Sequence, residues 1–299
     1  MIEIRTILLP TDFSEPADRA RPHAFELARR FGAEVTLLHV RTLYSDDPQR
    51  IAEEMPTPAA DHVFHRKMNR LPAEMSANVR VKTALVREVS PAEGILDYLS
   101  EQETDLLVMG THGRTGLTHF LLGSVAERIV RHAPCPVLTI GHAREHYRDL
   151  PSYQNILVPF DFSEHSRTAA LYGAELARRF GASLHVLYVI EQEVHPAFYD
   201  IWRETTARAI PDIAKDARAS LEEILAREEL QDLNLHVRLG EAKAHDEIAD
   251  YAAKNDIHLI VMGTHGLSGL DHALVGSTTE RVVRIATCPV LTLKLPVAL

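Results

Sequence analysis

Residues 106–140 read LLVMGTHGRTGLTHFLLGSVAERIVRHAPCPVLTI, and residues 259–293 read LIVMGTHGLSGLDHALVGSTTERVVRIATCPVLTL. The second stretch repeats the first at an offset of 153 residues (106 to 259). Each begins with an apolar run, continues through a glycine-rich loop and an amphipathic segment, and ends in another apolar run. That order is typical of a strand, a loop, a helix and a strand in one parallel sheet. The repeated stretch therefore predicts an α/β fold that is present twice.

The repeat extends toward the beginning of the chain. Residues 7–15 (ILLPTDFSE) return at 156–164 (ILVPFDFSE), 149 residues later. A period this long indicates duplicated domains, because solenoid repeats span only about 20–50 residues. We predict a first domain over residues 1–142, a linker over 143–154 and a second domain over 155–299.

Short apolar runs alternate with amphipathic stretches inside each copy, in the order βαβαβαβαβ. In the first copy this pattern predicts helices near 16–31, 91–102 and 124–132, a further helix beginning near Pro58, and strands near 4–9, 35–40, 79–86, 105–109 and 136–140. The strands are nearly continuous apolar runs, as expected where helices cover both faces of a sheet. We therefore predict an α/β fold class, with two tandem doubly wound domains that each contain a five-stranded parallel sheet.

Composition narrows the function classes. The chain has 299 residues, of which 45% are hydrophobic and 25% charged, and its formal net charge is −10. An acidic chain offers no electrostatic surface for nucleic acid or for an anionic membrane. No apolar run reaches the ~18–20 residues that cross a bilayer, and the first residues carry no signal-peptide pattern. We expect a soluble, cytoplasmic protein with neither a nucleic-acid nor a membrane partner.

Cysteine and histidine usage predicts no built metal or disulfide site. Cys135 and Cys288 occupy equivalent positions and are too few for a disulfide framework, so we expect buried thiols. His62 and His65 are spaced to share a helix face but lack a third ligand, and His112 and His265 sit inside the glycine-rich loops.

Two strands of each copy end in residues suited to a ligand site. The first strand ends in Pro10 with Asp12 two residues later, and the second copy has Pro159 and Asp161 at the same places. In open parallel sheets, ligands bind beyond the carboxyl ends of the strands, where the strand order reverses. Asp12 and Asp161 would there face hydrogen-bond donors of a ligand, although an Asp after a strand also serves as a turn or helix-cap residue.

The fourth strand of each copy leads into a loop with glycines at a fixed spacing, G-x2-G-x9-G-S. Its members are Gly110, Gly113, Gly123 and Ser124 in the first copy and Gly263, Gly266, Gly276 and Ser277 in the second. Glycine permits tight turns and close backbone approach, and exposed amides that lead into a helix N-terminus bind phosphate. The alternative is that these glycines serve only turns and helix packing.

The residues after the loop predict how the next helix begins. Ser124 with Glu127, and Ser277 with Glu280, match the S-x-x-E capping box, in which the serine is the N-cap. A serine hydroxyl at this position could also reach a divalent cation bound with the phosphates.

Together these motifs resemble the universal stress protein family in its tandem two-domain form, and the resemblance covers nearly the whole chain. The ATP-binding branch of that family implies an adenine nucleotide as ligand, accompanied by Mg2+ or Mn2+. By this resemblance, Asp12 and the backbone of Val40 hold the adenine and ribose, the loop glycines and Ser124 hold the phosphates, and Met109 and Val125 line the site. The matching positions in the second copy are Asp161, Val189, Met262, Gly263, Gly266, Gly276, Ser277 and Thr278.

The two copies differ beside the loop. Arg114 directly follows the loop glycine of the first copy and could bind a phosphate, whereas the second copy has Leu267. Thr278 replaces Val125, and the first copy has Arg87 where the second keeps Gly240 after the third strand. We therefore expect the first copy to bind nucleotide more tightly.

Three function classes follow. The first is an ATP-binding, stress-response regulator with at most slow hydrolysis; the second is a protein-interaction module whose glycine loops are structural. An enzyme is the third, but no metal-holding carboxylate can be placed beside the loop from the sequence. The resemblance also implies that residues 137–140 and 290–293 pair within one chain as a pseudo-dimer. A homodimer of whole chains and the identity of a protein partner stay open.

Overall fold

The computed structural model describes residues 2–42, 79–111, 122–141, 153–189, 243–264 and 275–294, the backbone of 235–240, and seven helical positions between 215 and 226. The elements of the first half are β1 (Thr6–Pro10), α1 (Glu15–Asp18), α2 (Ala20–Phe31), β2 (Glu34–Thr42), β3 (Arg80–Glu88), α3 (Pro91–Glu101), β4 (Leu106–Gly110), α4 (Ser124–His132) and β5 (Val137–Ile140). Those of the second half are β6 (Asn155–Pro159), α5 (Glu164–Phe180), β7 (Ser183–Val189), β8 (Leu235–Gly240), α6 (Ala244–Lys254), β9 (Leu259–Gly263), α7 (Ser277–Ile285) and β10 (Val290–Leu293). The helix predicted near Pro58 lies outside the described residues.

The strands form one ten-stranded sheet in the order β3-β2-β1-β4-β5-β10-β9-β6-β7-β8. Neighbouring strands are parallel except at the centre, where β5 and β10 pair antiparallel with Thr139 opposite Val290. The Thr139 hydroxyl donates to the Val290 carbonyl at 3.1 Å, and the Thr292 hydroxyl donates to the Val137 carbonyl at 3.2 Å. The predicted doubly wound fold and the predicted pairing of the two fifth strands are both confirmed.

The first predicted helix is interrupted in the first half only. The pattern predicts one helix over 16–31, but the structure has α1, then Arg19, then α2. Pro22 explains the break, because it cannot donate to the Asp18 carbonyl four residues earlier and its ring crowds that carbonyl. The second half has Leu171 at the equivalent position, and α5 is continuous.

The boundary between the halves includes a buried polar pair. His23 on α2 and Tyr153 before β6 are both buried, and His23 Nδ1 lies 2.7 Å from the Tyr153 hydroxyl. Burial lowers the pKa of His23 to about 4 and raises that of Tyr153. Tyr153 also packs edge-on against Phe180, with ring centroids 5.0 Å apart.

At the same interface, an arginine of each half lies over a phenylalanine ring of the other half. The Arg30 guanidinium lies 5.2 Å from the centroid of the Phe180 ring, and that of Arg179 lies 4.4 Å from the Phe31 ring. Arg179 and Phe180 are the counterparts of Arg30 and Phe31 at the 149-residue offset. The halves therefore contact one another through residues related by the internal repeat.

The two cysteines are buried where the sequence predicts. Cys135 and Cys288 are 8% and 3% exposed and are not bonded to one another. Burial raises the pKa of the Cys135 thiol to about 12, so this sulfur stays protonated at neutral pH. Cys135 therefore behaves as a small hydrophobic residue.

Candidate functional site

Each half has a point where the strand order reverses. β1 pairs with β2 on one side and β4 on the other, so the connections leaving β1 and β4 diverge and a crevice forms beyond their carboxyl ends. β6, β7 and β9 have the same relationship in the second half. Because β5 and β10 are antiparallel, the two crevices open at opposite edges of the sheet.

The turn after β1 is built by Asp12. Its Oδ1 accepts hydrogen bonds from the Ser14 amide at 3.0 Å and from the Ser14 hydroxyl. Ser14 in turn is the N-cap of α1, accepting from the Ala17 amide. Asp161 and Ser163 repeat the same two bonds in the second half. The turn role of these aspartates is thus observed, while contact with a nucleoside stays a prediction.

An aromatic residue follows each of these aspartates in a left-handed conformation. Phe13 has φ +62° and Phe162 has φ +64°, which is uncommon for residues other than glycine. The Phe13 ring packs against the His39 ring at a tilt of 38° with centroids 4.9 Å apart, and Phe162 packs edge-on against Tyr188 at 5.0 Å. His39 Nδ1 lies 2.7 Å from the Thr11 carbonyl and must donate to it, since a carbonyl only accepts.

These aromatic pairs are a site feature that the sequence reasoning missed. The available signal was the aromatic residue after Asp in both copies of D-F-S-E. A positive φ leaves no mark in hydrophobic periodicity, so the conformation itself could not be foreseen.

Val40 presents its backbone to the crevice. The Thr11 amide donates to the Leu38 carbonyl at 2.8 Å, where β1 ends beside β2. Backbone groups of alternate residues in a strand point to the same side, so those of Val40 point the same way, beyond the end of β1. In the second half the Phe160 amide donates to the Leu187 carbonyl, so the backbone groups of Val189 point beyond the end of β6. These directions are compatible with the role predicted for the two backbones, which stays a prediction.

Two hydrogen bonds hold the described ends of each glycine-rich loop. The Thr111 amide donates to Ile140 and the Gly123 amide donates to the Thr111 carbonyl, both at 2.9 Å. In the second half, Thr264 and Gly276 make the same bonds at 2.8 and 2.7 Å. The loops themselves lie outside the described residues, together with Gly113, Arg114, Gly266 and Leu267.

The capping-box prediction is wrong by one residue. The N-cap of α4 is Gly123, in extended conformation with φ −62° and ψ 143°, and no side chain caps the helix. Ser124 is the first helical residue, and Glu127 pairs with Arg131 instead of reaching back. Gly276 and Ser277 repeat this arrangement at α7. Because glycine supplies no capping oxygen, the first amides of both helices have no side-chain cap at the crevice edge.

Gly110 and Gly263 have no room for a side chain, because other parts of the chain pack closely against them. A Cβ at Gly110 would lie 2.4 Å from the Pro16 carbonyl oxygen, and one at Gly263 would lie 2.7 Å from the Cβ of His165. The sequence predicts that another group comes close to the backbone at these positions. In the structure that group belongs to the segment after β1 for Gly110 and after β6 for Gly263. No ligand is needed to explain either glycine.

We expect Gly110→Ala to lower the free energy of unfolding by about 1–3 kcal/mol, because backbone must move to admit the methyl group. Thermal unfolding should shift down by several degrees for a chain of this size. Gly141→Ala is the matched control at the same sheet edge, since its Cβ would meet no described atom closer than 3.6 Å. Equal melting temperatures for the two variants would contradict the packing explanation.

The remaining predicted residues divide by burial. Met109 and Met262 are 6% and 5% exposed, so their side chains belong mainly to the core. Val125 and Thr278 are half-buried at the second position of α4 and α7, while Pro10 is buried and Pro159 half-buried. Val125 and Thr278 are thus the side chains of this group best placed to line the crevice.

Within the ranges that the structure describes, no group of three or more His, Cys, Asp or Glu residues is arranged to hold a metal ion. His62, His65, His112 and His265 lie outside those ranges. The same described portion contains no helix that is both long and apolar enough to span a bilayer.

The fold and the crevices define a duplicated, doubly wound α/β protein with a helix N-terminus at the strand-order reversal of each half. A sequence model of the universal stress protein family matches residues 3–141 and 152–294. The chain belongs to the universal stress protein family, with two copies of its domain in tandem.

Individual relatives agree with this assignment. The chain is 34% identical over 145 residues to universal stress protein MJ0531 of Methanocaldococcus jannaschii, covering 48% of this chain and 84% of that protein. It is 25% identical to universal stress protein Slr1230 of Synechocystis, covering 97% of this chain and all of that one. A crystal structure of a universal stress protein from Archaeoglobus fulgidus matches the fold with a TM-score of 0.69 at 23% identity, covering 98% of this chain and 99% of that chain.

Proposed function

We propose that the protein binds ATP in both halves, at the carboxyl ends of β1, β2 and β4 and of β6, β7 and β9, and acts as a stress-response regulator. The observation that carries the proposal is the start of α4 and of α7. Each helix begins at a strand-order reversal with a glycine N-cap and no side-chain cap.

Phosphate binding by amides suits this chain. A helix N-terminus carries partial positive charge and free amide donors, and both favour an anion. The net charge of −10 opposes a polyanion at long range, so the attraction has to be local. Four α4 and α7 residues would contribute their amides: Ser124, Val125, Ser277 and Thr278.

Adenine recognition would use the strand backbones. The adenine amino group can donate to a carbonyl and its ring nitrogen can accept from an amide, which are the groups that Val40 and Val189 present beyond β1 and β6. Asp12 and Asp161, half-buried at the same edge, would meet ribose hydroxyls rather than phosphates, because a carboxylate repels phosphate.

Among the described residues, the acids near the helix starts favour slow or absent hydrolysis. Glu127 and Glu280 lie in the first turns of α4 and α7, but both are engaged by arginine. Phosphoryl transfer needs a carboxylate for the metal and a group that positions the nucleophile. We therefore place the protein among binding proteins rather than efficient ATPases.

A second function, protein interaction without nucleotide, is favoured by one observation. Gly110 and Gly263 are fully explained by packing against protein. If the remaining loop glycines are structural in the same way, the motif would persist without a ligand.

Mass spectrometry of small molecules released from protein purified without added nucleotide separates the two functions. ATP or ADP near stoichiometric amounts supports the proposal. Absence of nucleotide, together with no thermal shift in millimolar ATP, supports the interaction module. Phosphate release at enzymatic rates would overturn the assignment as a binding protein.

A further inference from the structure

α4 and α7 approach one another across the boundary between the halves. The Arg131 guanidinium, in the last turn of α4, lies 3.2 Å from the Glu127 carboxylate on its own helix. It also lies 3.8 Å from the Glu280 carboxylate in the first turn of α7. A residue of the first half is therefore within ion-pair distance of the helix that begins the second crevice.

This contact has no reciprocal among the ion pairs of the described residues. Arg284 is the counterpart of Arg131 at the 153-residue offset, and it pairs with Glu280 of its own helix at 2.8 Å. Glu280 is consequently flanked by two guanidinium groups, whereas Glu127 shares the one that belongs to Arg131. The Arg131–Glu280 contact therefore departs from the symmetry of the internal repeat.

A third contact fixes the end of α4 against the second half. Lys294, directly after β10, places its Nζ 3.5 Å from the Arg131 carbonyl oxygen. A cation at a helix C-terminus stabilises the last turn, which is the turn that carries Arg131. The position of the Arg131 side chain thus depends on both halves.

A carboxylate in the first turn favours the helix dipole but repels an anionic ligand bound at the same N-terminus. Neutralising that carboxylate therefore favours phosphate binding. We infer that Arg131 of the first half supports the phosphate site of the second half by adding to the neutralisation of Glu280 that Arg284 provides. The affinity of the second site then depends on a charge from the first half. This inference rests on the proposed function, since it concerns the phosphate site of a bound nucleotide.

The two sites can be followed separately in the intact chain. The sequence contains 14 glycines, and 15N-glycine labelling therefore gives at most 14 amide signals. Four of them belong to each loop region: Gly110, Gly113, Gly116 and Gly123 in the first half, and Gly263, Gly266, Gly269 and Gly276 in the second. Titration with ATP then yields a dissociation constant for each half.

We expect Arg131→Gln to weaken ATP binding at the second-half signals roughly two- to fivefold at low salt, the size of a half-exposed ion pair. First-half binding should weaken as well, because Glu127 loses its partner. Arg284→Gln should act on the second half alone. Arg128→Gln is the matched control: it removes the same charge from α4, but Arg128 pairs with Glu93 inside the first half. It should leave second-half affinity unchanged.

An Arg131→Gln effect confined to the first-half signals would overturn the inference. Arg131→Lys separates charge from structure, since it keeps the charge and should retain second-half affinity. Loss of second-half binding in both Arg131 variants would assign Arg131 a merely structural role and would also overturn the inference. If the unmodified chain binds no ATP, the proposed function itself fails, and that outcome is visible before any variant is compared.

Discussion

Replacing Ser124 by proline should weaken ATP binding in the first half by roughly 10- to 100-fold. Ser124 is the first residue of α4, and proline is well tolerated at that position because its missing N–H has no intrahelical partner. Gly123 before it is already in the extended conformation that a following proline requires. The substitution therefore removes one amide from the phosphate site and little else. A hydrogen bond to a charged group contributes about 1.5–3 kcal/mol, which corresponds to that loss of affinity.

Ser124→Ala is the matched control for this experiment. It keeps the amide and removes only the hydroxyl, which is exposed and caps nothing. Near-normal affinity in Ser124→Ala with a large loss in Ser124→Pro identifies the amide as the binding group. Equal losses would instead point to the hydroxyl, through a cation held with the phosphates. Equal affinities in all three proteins would exclude both the amide and the hydroxyl of Ser124 from the site.

Acidification from pH 6.5 to pH 4 should remove about 3 kcal/mol of stability through His23 alone. Burial lowers the pKa of His23 from its ordinary value of 6.5 to about 4 in the folded protein. Between these two values the unfolded chain binds the proton and the folded chain does not, so stability falls as the pH falls. The full difference of about 2.5 pH units corresponds to ~3.5 kcal/mol, most of which is lost by pH 4, where the folded-state imidazole is half protonated. Above pH 7 the group contributes no pH dependence.

Denaturant unfolding at several pH values tests this expectation. His23→Gln should flatten the dependence between pH 4 and 6.5 by about the same amount, because it removes the titrating group. Tyr153→Phe is the control. It deletes the hydroxyl 2.7 Å from His23 but leaves the imidazole buried, so it should lower stability at every pH and retain the slope. A slope that survives His23→Gln would assign the acid sensitivity to other groups.

Much of this fold could be predicted because duplication repeats each local signal. The apolar runs at residues 106–110 and 259–263 identify the same strand twice, and both are strands in the structure. The pairing of β5 with β10 is predicted by the family resemblance and confirmed, whereas their antiparallel orientation was not predicted. Nothing within a four-residue strand indicates its partner, since pairing depends on residues about 150 positions away.

The details of the site were less accessible to sequence reasoning. The S-x-x-E pattern places the beginning of α4 correctly but misassigns the cap, because Gly123 takes the extended conformation that serine was expected to adopt. Pro22 interrupts the first helix even though the hydrophobic spacing is continuous through it. Both errors come from backbone geometry, which hydrophobic periodicity does not encode.

The interface between the halves could not be predicted at the level of residues. His23 and Arg131 look like ordinary polar positions on amphipathic helices. One is buried against Tyr153, and the other reaches a carboxylate in the opposite half. The internal repeat predicts that two halves exist and resemble one another, but it cannot show where that resemblance is broken.

Isothermal titration calorimetry of the intact chain with ATP measures whether both proposed sites bind nucleotide. We expect two ATP molecules per chain, with tighter binding in the first half, where Arg114 can bind a phosphate. Ser124→Pro should remove or weaken one site, and Ser124→Pro combined with Ser277→Pro should weaken both. Absence of binding at millimolar ATP, or binding that is unchanged in the double variant, would contradict this expectation.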